Sequence, residues 1–259
     1  YDITTRLVGS EMCIRDRGYP HLNVKIGATH GGISVGEDGA THQCNEDIAL
    51  MRTIPGMTII NPADGTEARA AVEAAILHDG PVYLRFGRYA VPYLYDESTY
   101  RFELGRGVKL AEGSDVTIVA TGLMVHLALE ARGLLKADGI SAEVIDARSI
   151  VPFDYEKVIE SVKKTGKIVL VGDACERGSV MRDMASNITE MAFDYLDAPP
   201  VVVASRNWIT PAHELEKHFF PQADTIIDAI HEKIMPIAGY TPTHNFTTIE
   251  KMRRSKEGV

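Results

Sequence analysis

Cysteine is scarce in this chain of 259 residues, where only Cys13, Cys44 and Cys175 are present. Their odd number and irregular spacing fit neither a disulfide framework nor a metal-ligand pattern, so we expect reduced thiols and a cytoplasmic protein. The sequence also lacks any apolar run of about 18 residues, and we expect no transmembrane helix and no membrane partner. Positive charge is in deficit, since 27 Lys and Arg face 36 Asp and Glu. The net charge of −9 therefore argues against a nucleic-acid partner.

The chain contains a repeated alternation of short apolar segments with amphipathic helical segments. The alternation runs once before and once after a polar, aromatic stretch without periodicity. This pattern predicts an α/β fold with two domains, each a mostly parallel sheet flanked by helices. The predicted divisions are a first domain over 18–92, a linker over 93–105, a second domain over 106–240 and a polar, basic tail over 241–259 that is loosely held.

Individual elements are also predicted from the residues. Asn45 is expected to be the N-cap of a helix over 45–54. The next helix is predicted from its apolar positions, which follow the i, i+3, i+4 rule and are Ala68, Ala71, Val72, Ala75 and Ile76. Strands are predicted over 22–29, 57–63, 82–86, 115–122, 141–147, 167–173 and 200–205, and two closing helices over 211–220 and 223–235.

The first seventeen positions, "YDITTRLVGSEMCIRDR", have neither helical nor strand periodicity. They resemble a translated sequencing adapter, and we predict that residues 1–17 are a non-native segment.

The stretch "THGGISVGEDGATHQ", residues 29–43, combines glycines with titratable side chains. It follows a predicted strand, and loops at the carboxyl ends of strands in α/β sheets commonly bind ligands. The spacing matches neither a dinucleotide fingerprint nor a P-loop. From the residues alone, His30, Glu37, Asp38 and His42 are candidates for one polar site, for helix capping, for zinc binding with Cys44, or for an ordinary surface loop.

That stretch closely resembles the transketolase family. Residues 18–92 look like the later half of the family's pyrimidine-binding domain, so the resemblance implies a first domain truncated at its N-terminal side. Residues 106–238 are similar to the transketolase C-terminal domain, most clearly in "VTIVATGLMVHLALEA" and "VIDARSIVPFD".

The resemblance implies a thiamine-diphosphate-dependent transferase of the pentose phosphate type that moves a two-carbon ketol unit between phosphorylated sugars. It implies that His30 lies near the substrate phosphate and that Asp38 binds a sugar hydroxyl. It assigns His42 to the donor's carbonyl and terminal hydroxyl, as the catalytic residue. Arg88 matches the arginine that holds the phosphate, whereas Arg85, inside a strand, is expected to be structural.

The chain departs from the family pattern because residues that bind and activate the cofactor in the family have no match in it. No residue matches the family's activating glutamate, and no diphosphate- or metal-binding signature is visible. We therefore assign no cofactor-binding or metal-binding residue, and expect thiamine diphosphate and Mg²⁺ to be held by a part outside this chain. The implied partner is an N-terminal transketolase domain or subunit, in a homodimer or heterotetramer. Alone, we expect the chain to be inactive and, with an exposed sheet edge, poorly soluble.

Three alternatives remain open at this point. Two of them are enzymes that the chain also resembles, the β subunits of 2-oxo acid dehydrogenases and deoxyxylulose-phosphate synthase. The third is a non-catalytic scaffold or interaction subunit.

Other side chains are given structural roles. We expect His126 to be packed or to act as a cap and Trp208 to be a core or interface anchor. The remaining expectation concerns Asp173, Cys175, Glu176 and Arg177, which we interpret as loop and interface residues.

Overall fold

The computed structural model is built on two sheets, each flanked by helices, and it describes residues 14–257 apart from the side chain of Ala40. The first sheet has four strands in the order β1-β3-β2-β7. These are β1 (Lys25–Ala28), β2 (Thr58–Ile60), β3 (Val82–Arg85) and β7 (Ser149–Val151). Strand β3 is parallel to β1 and to β2, and β1 lies at one edge.

The second sheet has five strands in the order β4-β6-β5-β8-β9. These are β4 (Val108–Ala111), β5 (Val116–Ala120), β6 (Ala142–Asp146), β8 (Ile168–Cys175) and β9 (Val201–Ser205). Only the β4–β6 pair is antiparallel in this sheet. The predicted α/β fold with two mostly parallel sheets is confirmed, although β4 and β7 were not predicted from the sequence.

The helices lie between these strands and after the last one. They are α1 (Asp47–Arg52), α2 (Gly65–Leu77), α3 (Met124–Ala137), α4 (Tyr155–Thr165), α5 (Val180–Ala192), α6 (Ala223–Lys233) and α7 (Thr248–Glu257). Short 3-10 turns occupy Gly36–Asp38, Ala40–His42, Phe193–Tyr195 and His213–His218.

One hydrophobic cluster is shared by the two sheets. Strand β7 belongs to the second domain in sequence, yet it pairs antiparallel with β2, placing Val151 opposite Ile59. A single buried cluster contains Ile59 from the first sheet together with Val119 and Leu170 from the second. Because burial of apolar area is the main stabilising contribution, this shared cluster holds the two sheets together. The sequence boundaries given above stay predictions.

Two helix predictions need correction. The N-cap of α1 is Glu46 rather than Asn45, whose side-chain oxygen is buried without a described partner. On α2 the predicted apolar face is only half correct, since Ala71 and Ala75 are buried but Val72 and Ile76 are exposed. Helix α2 has Asp64 as its N-cap, and the Asp64 carboxylate accepts from the amide of Glu67.

Predictions in the second domain also need correction. Within 211–220 only a 3-10 turn forms, over His213–His218. Trp208 is half exposed, which contradicts a core position, and its role as an interface anchor stays a prediction. Asp173 and Cys175 lie inside β8, not in a loop. His126 is packed as expected, with its Nε2 2.9 Å from the carbonyl oxygen of Ala63.

The C-terminal tail is attached more firmly than its composition suggests. Asp228 of α6 accepts hydrogen bonds from the Tyr240 hydroxyl at 2.7 Å, from Thr243 and from the amide of His244 at 2.8 Å. Helix α7 follows this anchor with its residues largely exposed. The tail is therefore tied to the second domain at its start, contrary to the expected loose segment.

Two expectations remain, one on the first seventeen residues and one on membrane helices. The predicted non-native segment falls mostly outside the described residues, as does Cys13. None of the described helices combines the length and the apolar character that crossing a membrane requires.

Candidate functional site

The predicted site residues converge because the strands before them are parallel neighbours. His30 follows β1 and Arg88 follows β3, and these strands pair in parallel with Ala28 opposite Arg85. Parallel neighbours end at the same edge of the sheet, which is where ligands bind in α/β folds. The convergence is therefore set by topology, across 58 positions of sequence.

The glycine-rich stretch forms a loop that is closed at its base. The Gly32 amide donates to the Cys44 carbonyl at 2.7 Å, and the Cys44 amide donates back to the Gly32 carbonyl at 3.1 Å. Inside the loop, Ile33 and Val35 are buried and act as its own small core. The closure brings the two ends of the loop together, so that His30 and His42 become neighbours.

Asp38 lies between a histidine and an arginine. Its Oδ2 is 3.6 Å from His30 Nε2 and 3.4 Å from Arg88 Nε. The His30 and His42 rings are 6.2 Å apart between centroids. The structure thus brings together all four residues predicted for substrate binding, and the roles assigned to them stay predictions. Glu37 is exposed and has no described contact with this group.

The four side chains form an open, polar surface. The side chains of His30, Asp38 and Arg88 are 31%, 41% and 52% exposed. Exposed ion pairs add little stability, about 0–1 kcal/mol, so these contacts exchange readily for a ligand. Two imidazoles, a carboxylate and a guanidinium can together bind hydroxyls, a carbonyl and an anionic group.

A buried ion cluster lies directly beneath the loop. Arg85 of β3 donates from Nε to Asp47 Oδ2 and from Nη1 to Asp173 Oδ1, both at 2.7 Å. The Tyr83 hydroxyl also donates to Asp47, at 2.8 Å. The prediction that Arg85 is structural agrees with its burial, since only 1% of this residue is exposed. Asp173 comes from β8, so the cluster joins the two sheets under the site.

The loop packs directly against this cluster because the residues that contact it, Gly31 and Gly32, have no side chain. A Cβ on Gly31 would be 2.7 Å from Arg85, and one on Gly32 would be 2.1 Å from Asp173 Oδ2. Gly32 also has φ +79°, in the left-handed region that glycine adopts without strain.

Glu216 supports the loop from the second domain. Its carboxylate accepts from the Gly36 amide at 2.9 Å and from Gln43 Nε2 at 3.2 Å. The Tyr89 hydroxyl, next to Arg88, donates to its other oxygen. Glu216 is 3% exposed. It is a positioning residue that sequence analysis missed, because 180 positions separate it from Gly36 and no motif connects them.

A second buried polar cluster also joins the two domains. Glu67 of α2 and Asp146 of β6 are neighbouring buried carboxyl groups, and the Tyr95 hydroxyl donates to Asp146 Oδ2 at 2.6 Å. Burial, together with the neighbouring Glu67 carboxylate, raises the pKa of Asp146 well above its ordinary value. Burial also raises the pKa of Glu67, whereas the Tyr100 hydroxyl acts in the opposite direction. This arrangement favours one proton shared by the pair.

Metal chemistry and thiol chemistry have little support in this part of the chain. Within residues 14–257 no group of three or more His, Cys, Asp or Glu side chains is arranged to hold a metal ion. Burial raises the pKa of both Cys44 and Cys175, which disfavours the reactive thiolate.

The fold and the site define a two-domain α/β protein whose polar loop site lies at the carboxyl ends of parallel strands. Family models match both halves: "Transketolase, pyrimidine binding domain" over residues 8–92 and "Transketolase, C-terminal domain" over residues 105–226. The chain belongs to the transketolase family.

Individual relatives agree with the family models. A putative transketolase C-terminal section of Methanocaldococcus jannaschii is 47% identical over 144 residues, covering 55% of this chain and 46% of the relative. A 6-deoxy-6-sulfo-D-fructose transketolase subunit of a Clostridium species is 38% identical, covering 83% of this chain and 66% of the relative. A solved structure described as a split gene transketolase, inactive beta4 tetramer, is 41% identical with a TM-score of 0.71. That match covers 82% of this chain and 67% of the solved one.

The chain spans about half to two thirds of the length of these curated relatives. Beta subunits of 2-oxo acid dehydrogenases match at 32% and 35% identity, and deoxyxylulose-phosphate synthases match as well. The comparisons therefore show the family and leave the substrate open.

Proposed function

We propose that this chain supplies the sugar-phosphate-binding site of a thiamine-diphosphate-dependent transketolase that moves a two-carbon ketol unit between phosphorylated sugars. The observation that carries the proposal is the position of Asp38 between His30 and Arg88, with His42 beside them. A site for a neutral sugar would need hydroxyl-binding groups but no exposed guanidinium at its end.

Each side chain has a role that follows from its chemistry. The Arg88 guanidinium binds the phosphate at one end of the sugar, where its planar fork matches two phosphate oxygens. His30 adds a second donor on the same side, and Asp38 accepts from a sugar hydroxyl. His42 donates to the carbonyl or terminal hydroxyl of the donor ketose, where an imidazole can also give or take a proton near neutral pH.

The described residues do not fit the implied cofactor by themselves. Residues 14–257 offer no metal-binding cluster for Mg²⁺. The two carboxyl groups buried between the domains, Glu67 and Asp146, accept from the Tyr100 and Tyr95 hydroxyls. We therefore propose that the diphosphate and the metal are bound by an N-terminal transketolase domain or subunit.

Two observations support a partner for this chain. Among the strands of residues 14–257, β1 lies at the edge of its sheet, where its outer backbone groups can pair with a further strand. Relatives carry names that include "subunit" and "section", and the solved structure is described as a tetramer of β chains. We propose a heterotetramer or homodimer with that partner, and no activity without it.

The test is turnover after the N-terminal partner is supplied. With xylulose 5-phosphate as donor and ribose 5-phosphate as acceptor, we expect ketol transfer that falls by about 10²-fold or more in His42→Ala, the range for a lost acid–base group. His78→Ala is the matched control, because this histidine lies at the end of α2, away from the site. Wild-type turnover in His42→Ala would remove His42 from the mechanism.

The dehydrogenase alternative makes a different prediction. It requires turnover of a 2-oxo acid with a lipoyl domain and no dependence on sugar phosphate. Activity in that assay, without ketol transfer, would replace the transketolase proposal.

A further inference from the structure

The second domain contains a large cavity apart from the four candidate site residues. Its volume is about 640 Å³, within the range of about 300–1,000 Å³ that small-molecule sites occupy. It lies between β9, the segment before α5, and the C-terminal helix α7. None of His30, Asp38, His42 or Arg88 lines it.

Cations dominate the wall of this cavity. They come from four separate parts of the chain and are Arg177, Arg182, Arg206, Lys233, Lys251 and Arg254. The carboxylate in the described lining is Glu176, which pairs with Arg182. Arg254 is also paired, with Glu250 on its own helix at 2.9 Å. The other four cations still give the concave, partly desolvated space a positive potential. In a chain of net charge −9, this concentration is a local feature that overall composition conceals.

These cations repel one another. The nearby Arg182 guanidinium lowers the pKa of Lys251, and burial together with Lys251 lowers the pKa of Lys233. Burial lowers the pKa of Arg182 as well. Within residues 14–257 the structure gives neither Lys233 nor Lys251 a carboxylate partner within 4 Å, so an anion would relieve the repulsion.

An aromatic surface lies beside the cations. Trp208 lines the cavity and is 50% exposed, and the Arg206 guanidinium lies 5.3 Å from its ring centroid. A half-exposed indole next to arginines can stack a planar ring while the cations bind phosphate oxygens.

The wall that α7 contributes is held in place. Asp228 binds Thr243 and His244 at the start of the tail, and Lys233 Nζ donates to Thr248 Oγ1 at 3.2 Å. The cavity is therefore built by an anchored segment.

We propose that this cavity binds a nucleotide, with its phosphates at the cations and its base against Trp208. The chemistry that recognises it is a di- or triphosphate joined to a flat ring. The site is separate from the sugar-phosphate site, and the inference does not depend on the proposed transferase activity.

Equilibrium binding to the full chain tests the proposal, with Trp208 fluorescence as the signal. Trp208 is the one tryptophan of the sequence, so any change reports on the cavity. We expect ADP to change the fluorescence in a saturable way, pyrophosphate to compete with it, and adenosine to bind much more weakly.

Variants of α7 give a matched comparison. Lys251→Gln removes a lining cation and should weaken ADP binding about tenfold or more, as loss of a charge-assisted contact does. Arg253→Gln removes the same charge two positions along the helix, where the side chain pairs with Glu250 and Glu257, and should change binding by less than about twofold. Lys233→Gln, on α6, repeats the test should the first variant disturb α7.

Three results would overturn the inference. The first is no saturable response to ADP in the unaltered chain, and the second is equal loss of binding in Lys251→Gln and Arg253→Gln. The third is tighter binding of a single-stranded oligonucleotide than of ADP, which would make the cavity part of a nucleic-acid surface.

Discussion

Arg85 Nη1 donates to Asp173 Oδ1 at 2.7 Å, and this buried bond joins β3 of the first sheet to β8 of the second directly under the site loop. Both side chains are at most 5% exposed. The site is thus assembled on an ionic link between the two domains, and several of the predictions below follow from that arrangement.

Loss of the buried bond between Arg85 and Asp173 should lower the stability of the fold. Asp173→Ala leaves the buried Arg85 charge with one partner, and we expect the free energy of unfolding to fall by about 3–5 kcal/mol. Asp183→Ala is the matched control, because it removes a pair with Arg52 that also joins the two domains but is exposed, and should cost less than about 1 kcal/mol. Urea denaturation of both variants is the measurement, and similar losses would contradict the account.

Alanine substitutions at two glycines of the loop separate the effect of a steric collision on stability from the effect of backbone strain. Gly32 and Gly39 both have positive φ, +79° and +73°. A Cβ on Gly32 would collide with Asp173, whereas one on Gly39 would meet nothing within 4 Å. Gly39→Ala should cost about 1–3 kcal/mol from backbone strain alone. Gly32→Ala should cost clearly more and weaken sugar-phosphate binding, and equal thermal shifts in the two variants would contradict this.

Glu216 should affect substrate binding without touching the substrate. Glu216→Gln leaves the side-chain shape but replaces the acceptor of the Gly36, Gln43 and Tyr89 bonds by a weaker one. In the complex with its partner, we expect KM for the sugar phosphate to rise several-fold while binding of an unphosphorylated ketose changes less. Glu214→Gln, two positions away and exposed, is the control. An unchanged KM in Glu216→Gln would exclude a positioning role.

The buried Glu67 and Asp146 pair predicts a dependence of stability on pH. The pKa of Asp146 is raised in the folded chain above an unfolded value of about 3.9. A raised carboxyl pKa means that the folded state binds more protons, so this contribution is complete below about pH 4 and is lost as the pH rises through the folded pKa.

Asp146→Asn removes this titration. Relative to the unaltered chain, we expect the variant's free energy of unfolding to increase as the pH rises above about 4 and to level off above the folded pKa, whatever its absolute stability. Glu73→Gln, an exposed position of α2, should show no such trend. A pH-independent difference for Asp146→Asn would show that the pair does not share a proton.

Part of this molecule could be predicted from its sequence. Apolar periodicity identified most helices and strands, because each pattern is local. It missed β7, whose place in the first sheet depends on a long-range pairing between Val151 and Ile59. It also placed Val72 and Ile76 on a buried face that the described structure leaves exposed.

In the site, too, residues of one local motif were predictable and residues brought together by the fold were not. His30, Asp38 and His42 stand in one short motif, and Arg88 was found through its resemblance to a family position. Glu216 and Asp173 are distant in sequence and have no motif of their own, so only the folded arrangement connects them with the loop. The cation-lined cavity also required the structure, since its charges come from separate segments of an acidic chain.

The most direct test of the account is the preference for a phosphorylated sugar in the complex of this chain with its N-terminal partner. The measurement is the ratio of the dissociation constants of xylulose and xylulose 5-phosphate, for the unaltered chain and for Arg88→Ala. Because a charge-assisted bond contributes about 1.5–3 kcal/mol, we expect the preference for the phosphate to fall about tenfold or more in Arg88→Ala. Arg69→Ala, which removes an exposed arginine on α2, should leave the ratio unchanged. An undiminished preference in Arg88→Ala would contradict the proposal that the four side chains around Asp38 bind one sugar phosphate.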